Sequence, residues 1–483
     1  MRILITGASG FIGQRLLQAL SGSAATEVDQ LIALRRTPSS SNPAETSSPM
    51  EWRTCDLFSL AQTEAATQGA DVGICLVHSM MPAARLTQSR FEDTDLLLAD
   101  NFARACKRNG VKTILYLGGL IPETRPLSAH LQSRLEVEAA LASYGAKVIT
   151  LRAGLIIGQE GSSFQLLSTL VRRLPVLICP KWTRSKTQPI AASDLVQTLL
   201  EVIRKHTQVP AGSYDIGSPS VITYQKLMET TAEELGLKRR FFSVPFFTPG
   251  LSLLWVQLIT GASRNLILPL IQSLKHEMLV KNAELWQWLR PTDTTPPALL
   301  DLSLALKEAI RTPQPTSSRA SFALSLREST RQRKAALKKK SEVRSIQRLT
   351  RPEGWRAEAV ATAYFRWLPR KLSPLIHVSR DKTGVWSFHF FPLPWVLLKL
   401  AETPERSTPD RALFLIRGGL LVSRQSPPLA RLEFREVLGG KVVLAAIQEF
   451  VPSLPWVIYK FTQAIIHLWV MSAFEHHLRT GED

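Results

Sequence analysis

The chain has 483 residues, 45% of them hydrophobic and 20% charged, with a net charge of +19 and a pI near 10.1. That is enough apolar material for two or three domains with real cores. Zinc-finger spacings and basic patches interleaved with aromatic residues are missing, so no nucleic-acid partner is expected, and the charge reads as a solvated basic surface plus a basic linker.

The first element is a buried strand that runs into TGASGFIG, where Gly7, Gly10 and Gly13 recur every third residue. Gly7 permits a tight turn, Gly10 a close backbone approach to a diphosphate, and Gly13 the packing of the next helix on the strand. That helix, residues 11–20, would aim its free N–H groups at phosphate. A second strand, 30–34, follows about twenty residues after the glycines, as a dinucleotide site requires.

The alternation of strand and helix continues to about residue 200. DVGICLVHSM (71–80), TILYLGG (113–119) and KVITLRAGLIIG (147–158) read as strands, with helices at 93–109 and 128–144. Continuous apolar strands between helices predict a parallel sheet buried on both faces, with its ligand edge at the strands' carboxyl ends. Asp194 is expected to cap a helix over 194–204. Residues 211–311 mix a short strand, a turn and apolar helical pieces, and read as a cap.

Between Arg311 and Lys340 stand nine Lys/Arg and one acid, so 312–341 is expected to be a basic linker, or alternatively a tether to membrane phosphate. Beyond it, a strand (342–349), a helix (353–367), five consecutive strands and a helix over 456–478 predict an antiparallel α+β domain. Such a sheet either encloses an apolar cavity or is solidly packed. The segment 405–411 reads as a charged turn. The stretches 246–274 and 456–474 are apolar but interrupted, and neither is a clean transmembrane span.

Cys55, Cys75, Cys106 and Cys179 form no C-x-x-C pair and read as reduced core residues. No metal site is expected, since Glu475-His476-His477 lacks a third ligand at fixed spacing. Gly-x-Ser-x-Gly and Walker loops do not occur, so hydrolase and NTPase chemistry have no support. Met1-Arg2 leads straight into the first strand with no small-residue cleavage site. The expected location is cytoplasmic, with peripheral attachment to the inner face of the membrane as the alternative.

TGASGFIG, the arginines after the second strand, LVHSM, YLGGL, LSAHLQSRLEVE, LRAGLIIG and QPIAASDL together resemble the atypical and extended branches of the short-chain dehydrogenase/reductase superfamily. Those members are NAD(P)-binding and epimerase/dehydratase-like. The resemblance covers roughly residues 1–300. It implies a Rossmann-like, doubly wound α/β domain over 1–210 and a small cap over 211–311. The last 140 residues resemble, more loosely, a C-terminal module of helix-grip, START-like shape, here an α+β antiparallel domain over 342–483.

By position, the resemblance implies that Gly7, Gly10 and Gly13 hold the pyrophosphate, with Thr6, Ser9, Phe11 and Ile12 also counted as cofactor-binding. Asp56 would touch the adenine, Val77, His78 and Ser79 would cover the ribose and nicotinamide side, and Ile156 would lie near the carboxamide. Where NAD-preferring relatives carry an acid, this chain has Arg35 and Arg36, whose guanidinium groups suit a 2′-phosphate, so NADP is expected before NAD. The family's Tyr-x-x-x-Lys reads His130-Leu-Gln-Ser-Arg134, and no hydroxyl stands at Leu117-Gly118-Gly119 upstream. His130 is then the candidate for proton transfer and Arg134 for the ribose, with Ser128 and Tyr116 as lesser candidates. Trp182, Arg184 and Gln188 are expected to line the substrate pocket. The implied activity is an NAD(P)-dependent oxidoreductase or epimerase/dehydratase-like enzyme acting on an apolar small molecule. The departure from Tyr-x-x-x-Lys keeps a second reading open, a non-catalytic NADP-binding module that senses redox state or stabilises an assembly.

Overall fold

In the computed structural model, the residues described are 1–22, 28–36, 50–78, 86–244, 249–261, 264–290, 299–311 and 343–481. The expected basic linker and Ser79 lie outside them. The chain divides into two units, Met1–Met81 with Leu98–Ser329, and Pro82–Leu97 with Thr330–Asp483. Residues 82–97, read from the sequence as part of the nucleotide-binding region, therefore group with the C-terminal unit.

The N-terminal unit is built on a seven-stranded sheet. Its strands are β1 (Arg2–Thr6), β2 (Gln30–Arg35), β3 (Met50–Thr54) and β4 (Val72–Cys75); then, past β5 (Leu86–Gln88) of the other unit, β6 (Thr113–Gly119), β7 (Lys147–Ala153) and β12 (Gly212–Ile216). The order is β12-β7-β6-β4-β1-β2-β3 and every pairing is parallel. Parallel strands need crossovers, and helices α1 (Phe11–Ser21), α2 (Leu60–Ala66), α3 (Phe91–Arg108), α4 (Ala129–Ala142) and α6 (Ala192–Arg204) run between successive strands. In α1, Ile12, Leu16, Leu17 and Leu20 fall on one face and join Ile3, Ile5, Leu31 and Leu199 in the core. Each such buried aliphatic side chain contributes roughly 1.5–3 kcal/mol. The strand β12 was expected in the cap but is an outer strand of this sheet.

The expected single strand over 147–158 is two, β7 and β8 (Ile156–Ile157). A β-carbon on Gly154 would lie 1.9 Å from the Gln188 carbonyl oxygen, so the chain leaves the sheet there to let that backbone pass. β8 pairs instead with β11 (Ile190–Ala191), while β9 (Val176–Pro180) pairs with β14 (Arg240–Val244) and β10 (Lys186–Thr187) with β13 (Ile222–Thr223). Around these pairs pack α5 (Ser162–Arg173), α7 (Tyr224–Glu234), α8 (Pro249–Thr260), α9 (Arg264–Ser273), α10 (Glu284–Leu289) and α11 (Leu302–Arg311). Asp194 does not cap α6: that helix begins at Ala192, and the Asp194 carboxylate accepts the Leu300 N–H at 2.8 Å.

The C-terminal unit holds the antiparallel sheet that the sequence predicts, in the order β16-β17-β18-β19-β20-β21-β15-β5. Its strands are β15 (Val343–Thr350), β16 (Ile376–Arg380), β17 (Val385–Phe390), β18 (Trp395–Glu402), β19 (Arg411–Gly418), β20 (Arg431–Val437) and β21 (Val442–Phe450). β5 adds a parallel edge to β15 across more than 250 residues of sequence, Val343 opposite Leu86. On one face lie the helices Ala357–Lys371 and Gln463–Thr480, and aromatic rings fill the space: Tyr364–Phe474 centroids are 5.1 Å apart and Phe365–Phe414 4.9 Å. The long terminal helix expected over 456–478 is broken at Thr462, whose φ of −125° and ψ of −88° are not helical, into Trp456–Phe461 and Gln463–Thr480.

On the other face of β20, Arg431, Glu433 and Arg435 alternate with the core-facing Leu432 and Phe434. Glu433 is clasped by Arg411 Nη2 at 2.7 Å and Arg435 Nη2 at 3.0 Å, with Gln448 Nε2 at 3.2 Å. Arg411 is thus not part of an exposed charged turn; it opens β19 and is buried against its partner. Burial would raise the Glu433 carboxyl, but Arg435, Arg411 and Arg431 outweigh it and hold the group well below the carboxylate range.

Candidate active site at the carboxyl edge of the parallel sheet

Register aligns Thr6, Cys75, Tyr116 and Thr150 in one row across β1, β4, β6 and β7, so whatever follows these residues lies along one edge. Thr6 itself is spent on the fold: its hydroxyl donates to the Ile74 carbonyl at 3.2 Å and accepts the Leu76 N–H at 3.3 Å. Gly7 then turns with φ +70°, and the Gly10 N–H closes the turn on the Gly7 carbonyl at 2.9 Å. Ser9 and Gly10 are exposed on top of this turn, while Ile12 and Gly13 are buried beneath it. A β-carbon on Gly13 would lie 2.3 Å from the Gly7 oxygen, so helix α1 seats against the turn only because that side chain is missing. The result is a bare backbone surface leading into a helix N-terminus, a cradle that fits a diphosphate. Phe11 packs sideways; its ring fills the space over Gly158 and Gly161.

The neighbouring strand ends complete the edge. Arg35 closes β2, and its guanidinium lies over the Trp52 ring, 5.4 Å from the centroid. Arg36 beside it is exposed. Asp56 follows β3, its N–H bonded to Gln62 Oε1 at 3.0 Å and its carboxylate accepting from the Phe58 N–H at 3.4 Å. Val77 and His78 follow β4, with His78 solvent-exposed.

On α4, His130 and Arg134 stand one turn apart on the same side. Arg134 is buried and donates from Nη1 to the Tyr116 hydroxyl at 3.3 Å. Burial, then the charge of Arg134 and that of His78, push His130 down to about 3, so its imidazole is neutral at physiological pH. Those couplings bring His78, His130 and Arg134 into one electrostatic cluster, with Tyr116 attached. Ser128 belongs to the framework: its Oγ caps α4 by accepting the Leu131 N–H at 3.3 Å and bonds Ser273 Oγ at 2.9 Å.

The three expected substrate residues part company. Trp182 lines an apolar cavity of about 100 Å³ formed by α5, α7, α8 and α9, together with Leu155, Leu167, Tyr224, Ile271 and Leu274. Arg184 is exposed at the end of the short helical turn Lys181–Arg184. Gln188 is tied at both ends, donating to the Ser218 carbonyl at 2.9 Å and accepting the Val280 N–H at 2.7 Å. Ile156 is half-buried at the start of β8. Sequence reasoning missed the cavity walls from α5 and α9, because the apolar face of an amphipathic helix reads the same whether it lines a core or a ligand space. It also missed the bidentate Arg152–Glu138 pair, 3.0 and 2.7 Å, to which Ser213 adds a hydroxyl at 3.0 Å.

All four cysteines are free and buried, and burial pushes Cys55 and Cys179 up to about 11, which leaves them inert thiols. Among the described residues, no group of three or more His, Cys, Asp or Glu side chains is placed to hold a metal ion, and no helix is long and apolar enough to cross a membrane.

Residues 3–217 match the NAD dependent epimerase/dehydratase family. The match takes in the parallel sheet of the N-terminal unit and covers just under half of the chain. A curated relative, the auxiliary protein GraX of Staphylococcus aureus, is 30% identical over 118 residues, which are 24% of this chain and 36% of that protein. The chain thus spans only about a third of the length of the curated relative it matches. Among solved structures, the chain is similar to a nucleoside-diphosphate-sugar epimerase from Staphylococcus aureus: TM-score 0.50 at 15% identity, over 64% of this chain and 100% of the other. It is also similar to a UDP-glucose 4-epimerase from Thermotoga maritima, with a TM-score of 0.46 at 14% identity, over 64% and 97% of the two chains. At 15% identity the first of these likenesses is one of fold alone.

Proposed function

We propose that the N-terminal unit binds NADP in preference to NAD and works as an oxidoreductase or epimerase/dehydratase-like enzyme on an apolar small molecule. The observation that carries this reading is the exposed Ser9–Gly10 turn above buried Gly13, on the same sheet edge as the His130–Arg134 pair. Ser9, Gly10 and the α1 N-terminus would hold the pyrophosphate. Arg35, steadied on Trp52, and Arg36 would meet a 2′-phosphate with charge-assisted hydrogen bonds. The cofactor, when bound, supplies or accepts a hydride at its nicotinamide.

The proton side of the chemistry falls to this chain. A neutral His130 would offer a substrate oxygen a hydrogen bond without carrying charge, and Arg134 keeps a fixed positive charge beside it for an oxygen that gains negative charge. Arg134 stays protonated, so it cannot exchange a proton with His130. Similar proteins are named for nucleoside-diphosphate sugars, whereas the cavity walls here are aliphatic and aromatic, which supports an apolar group in the substrate.

The test is nucleotide titration of the full chain and of Arg35→Ala/Arg36→Ala. Wild type is expected to hold NADPH at least about tenfold more tightly than NADH, with the double variant losing that preference. Equal affinities in wild type would end the NADP assignment. Reduction of apolar carbonyl or quinone acceptors by bound NADPH is expected to fall at least about a hundredfold in His130→Ala with nucleotide affinity unchanged. Binding without any transfer to such acceptors would leave a nucleotide-binding module and remove the enzyme reading.

A further inference from the structure

One end of the C-terminal sheet is apolar where it meets solvent. Strands β17, β19 and β21 all terminate there. The β17–β18 connection exposes Phe391 and, at the start of β18, Trp395; the chain after β19 exposes Leu420. These tips are stitched together. Leu420 N–H donates to the Val396 carbonyl at 2.9 Å, and Ser453 N–H to the Leu421 carbonyl at 3.1 Å. Two residues past Ser453, Pro455 starts the terminal helices.

The helices continue the band. In Gln463–Thr480, Ala464, Met471 and Phe474 face the core. The opposite side should be polar, as it is further along at Ser472 and His476. In its first two turns it is not: Ile466 is 58% exposed and Trp469 52%, and Phe461 just before them is 65% exposed. A helix that is apolar on both sides for only two turns, beside apolar loop tips, is built to cover something.

Charge selects the occupant. Residues 343–481 hold 19 Lys/Arg against 10 Asp/Glu, and the run RQRKAALKKK precedes them. Lys399, Arg417 and Arg424 are exposed near Leu420. A second copy of so basic a unit would be repelled, whereas an anionic surface would be attracted. Aromatic and aliphatic side chains ringed by cations fit the boundary between lipid headgroups and acyl chains. We propose that this end of the C-terminal unit docks on an anionic lipid bilayer, with Phe391, Trp395, Leu420, Phe461, Ile466 and Trp469 entering that boundary and the three cations meeting lipid phosphates. The surface lies on the membrane; among the described residues no helix spans it.

Co-sedimentation of the full chain with vesicles tests this. Vesicles of phosphatidylcholine with phosphatidylglycerol are expected to pellet the protein at low salt, less so at high salt, and phosphatidylcholine alone to pellet little of it. Ile466→Glu/Trp469→Glu should weaken that binding at least about tenfold while the thermal unfolding midpoint stays that of wild type, because both side chains are exposed. Arg417→Glu/Arg424→Glu, also exposed, should weaken it and shrink its salt dependence. Undiminished pelleting of both double variants overturns the proposal, as does equal binding to neutral vesicles at every salt concentration. Failure to bind vesicles, together with a concentration-dependent dimer that Ile466→Glu/Trp469→Glu dissolves, assigns the face to a second copy and overturns it too.

Discussion

Gly13 and Gly7 are packed so closely that a β-carbon on Gly13 would sit 2.3 Å from the Gly7 carbonyl oxygen. The obstacle is backbone, held by the Gly10 N–H and by the strand behind it, and it has nowhere to move. Gly13→Ala is therefore expected to cost about 3 kcal/mol of stability and to abolish dinucleotide binding, read by urea unfolding and nucleotide titration. Gly10 is the contrast. It is exposed, and a β-carbon there would approach the Gly7 oxygen only to 3.1 Å. Gly10→Val should lose nucleotide affinity while costing about 1 kcal/mol or less of stability. If Gly10→Val bound nucleotide as wild type does, the diphosphate would not lie on this turn.

Glu433 is the anion that Arg411 and Arg435 share on the buried face of β19 and β20, while Arg431 also reaches Glu449 at 2.9 Å. Removing its charge leaves buried guanidinium groups facing one another, so Glu433→Gln should destabilise the C-terminal unit by roughly 3–5 kcal/mol in urea unfolding. Replacing Arg411 and Glu433 together by Met and Leu removes cation and anion at once and should cost less than Glu433→Gln alone. A double variant as unstable as the single one would mean that packing, not charge, holds this face.

The sequence carried those features that repeat locally. Apolar runs ending in glycine turns gave the parallel sheet, and alternation gave the antiparallel one, because both periods are written residue by residue. What stayed hidden depends on partners far along the chain. Gly154 breaks its strand because the Gln188 backbone passes 34 residues later. Arg411 is buried because Glu433 waits on the next strand, yet in sequence it is one more charge in a charged stretch. Leu86–Gln88 is a strand only because Val343–Ser345 pairs with it. The candidate site divides in the same way. The glycine turn and the arginines after β2 are local signals, while the link from Arg134 to Tyr116 crosses from helix to strand and leaves no pattern.

His467 supplies a pH dependence with a defined sign. Its Nε2 lies 3.0 Å from Ser345 Oγ, and burial lowers it from 6.5 to about 4. In the unfolded chain the ring takes up a proton near pH 6.5; in the folded chain it resists until about pH 4. Between those values the unfolded state binds more protons, so stability is complete above pH 6.5 and declines as the pH falls. This one group accounts for a slope of up to ~1.4 kcal/mol per pH unit. His467→Gln keeps a hydrogen-bonding partner for Ser345 but cannot titrate. Its unfolding free energy, measured in urea at pH 7 and at pH 5, should fall by clearly less than that of wild type over the same interval. His130, also held neutral, is unchanged in that variant, so a residual slope of the same sign is expected. Should the two proteins lose equal stability, His467 must already be protonated in the fold, and the half-buried neutral ring beside Ser345 would be ruled out.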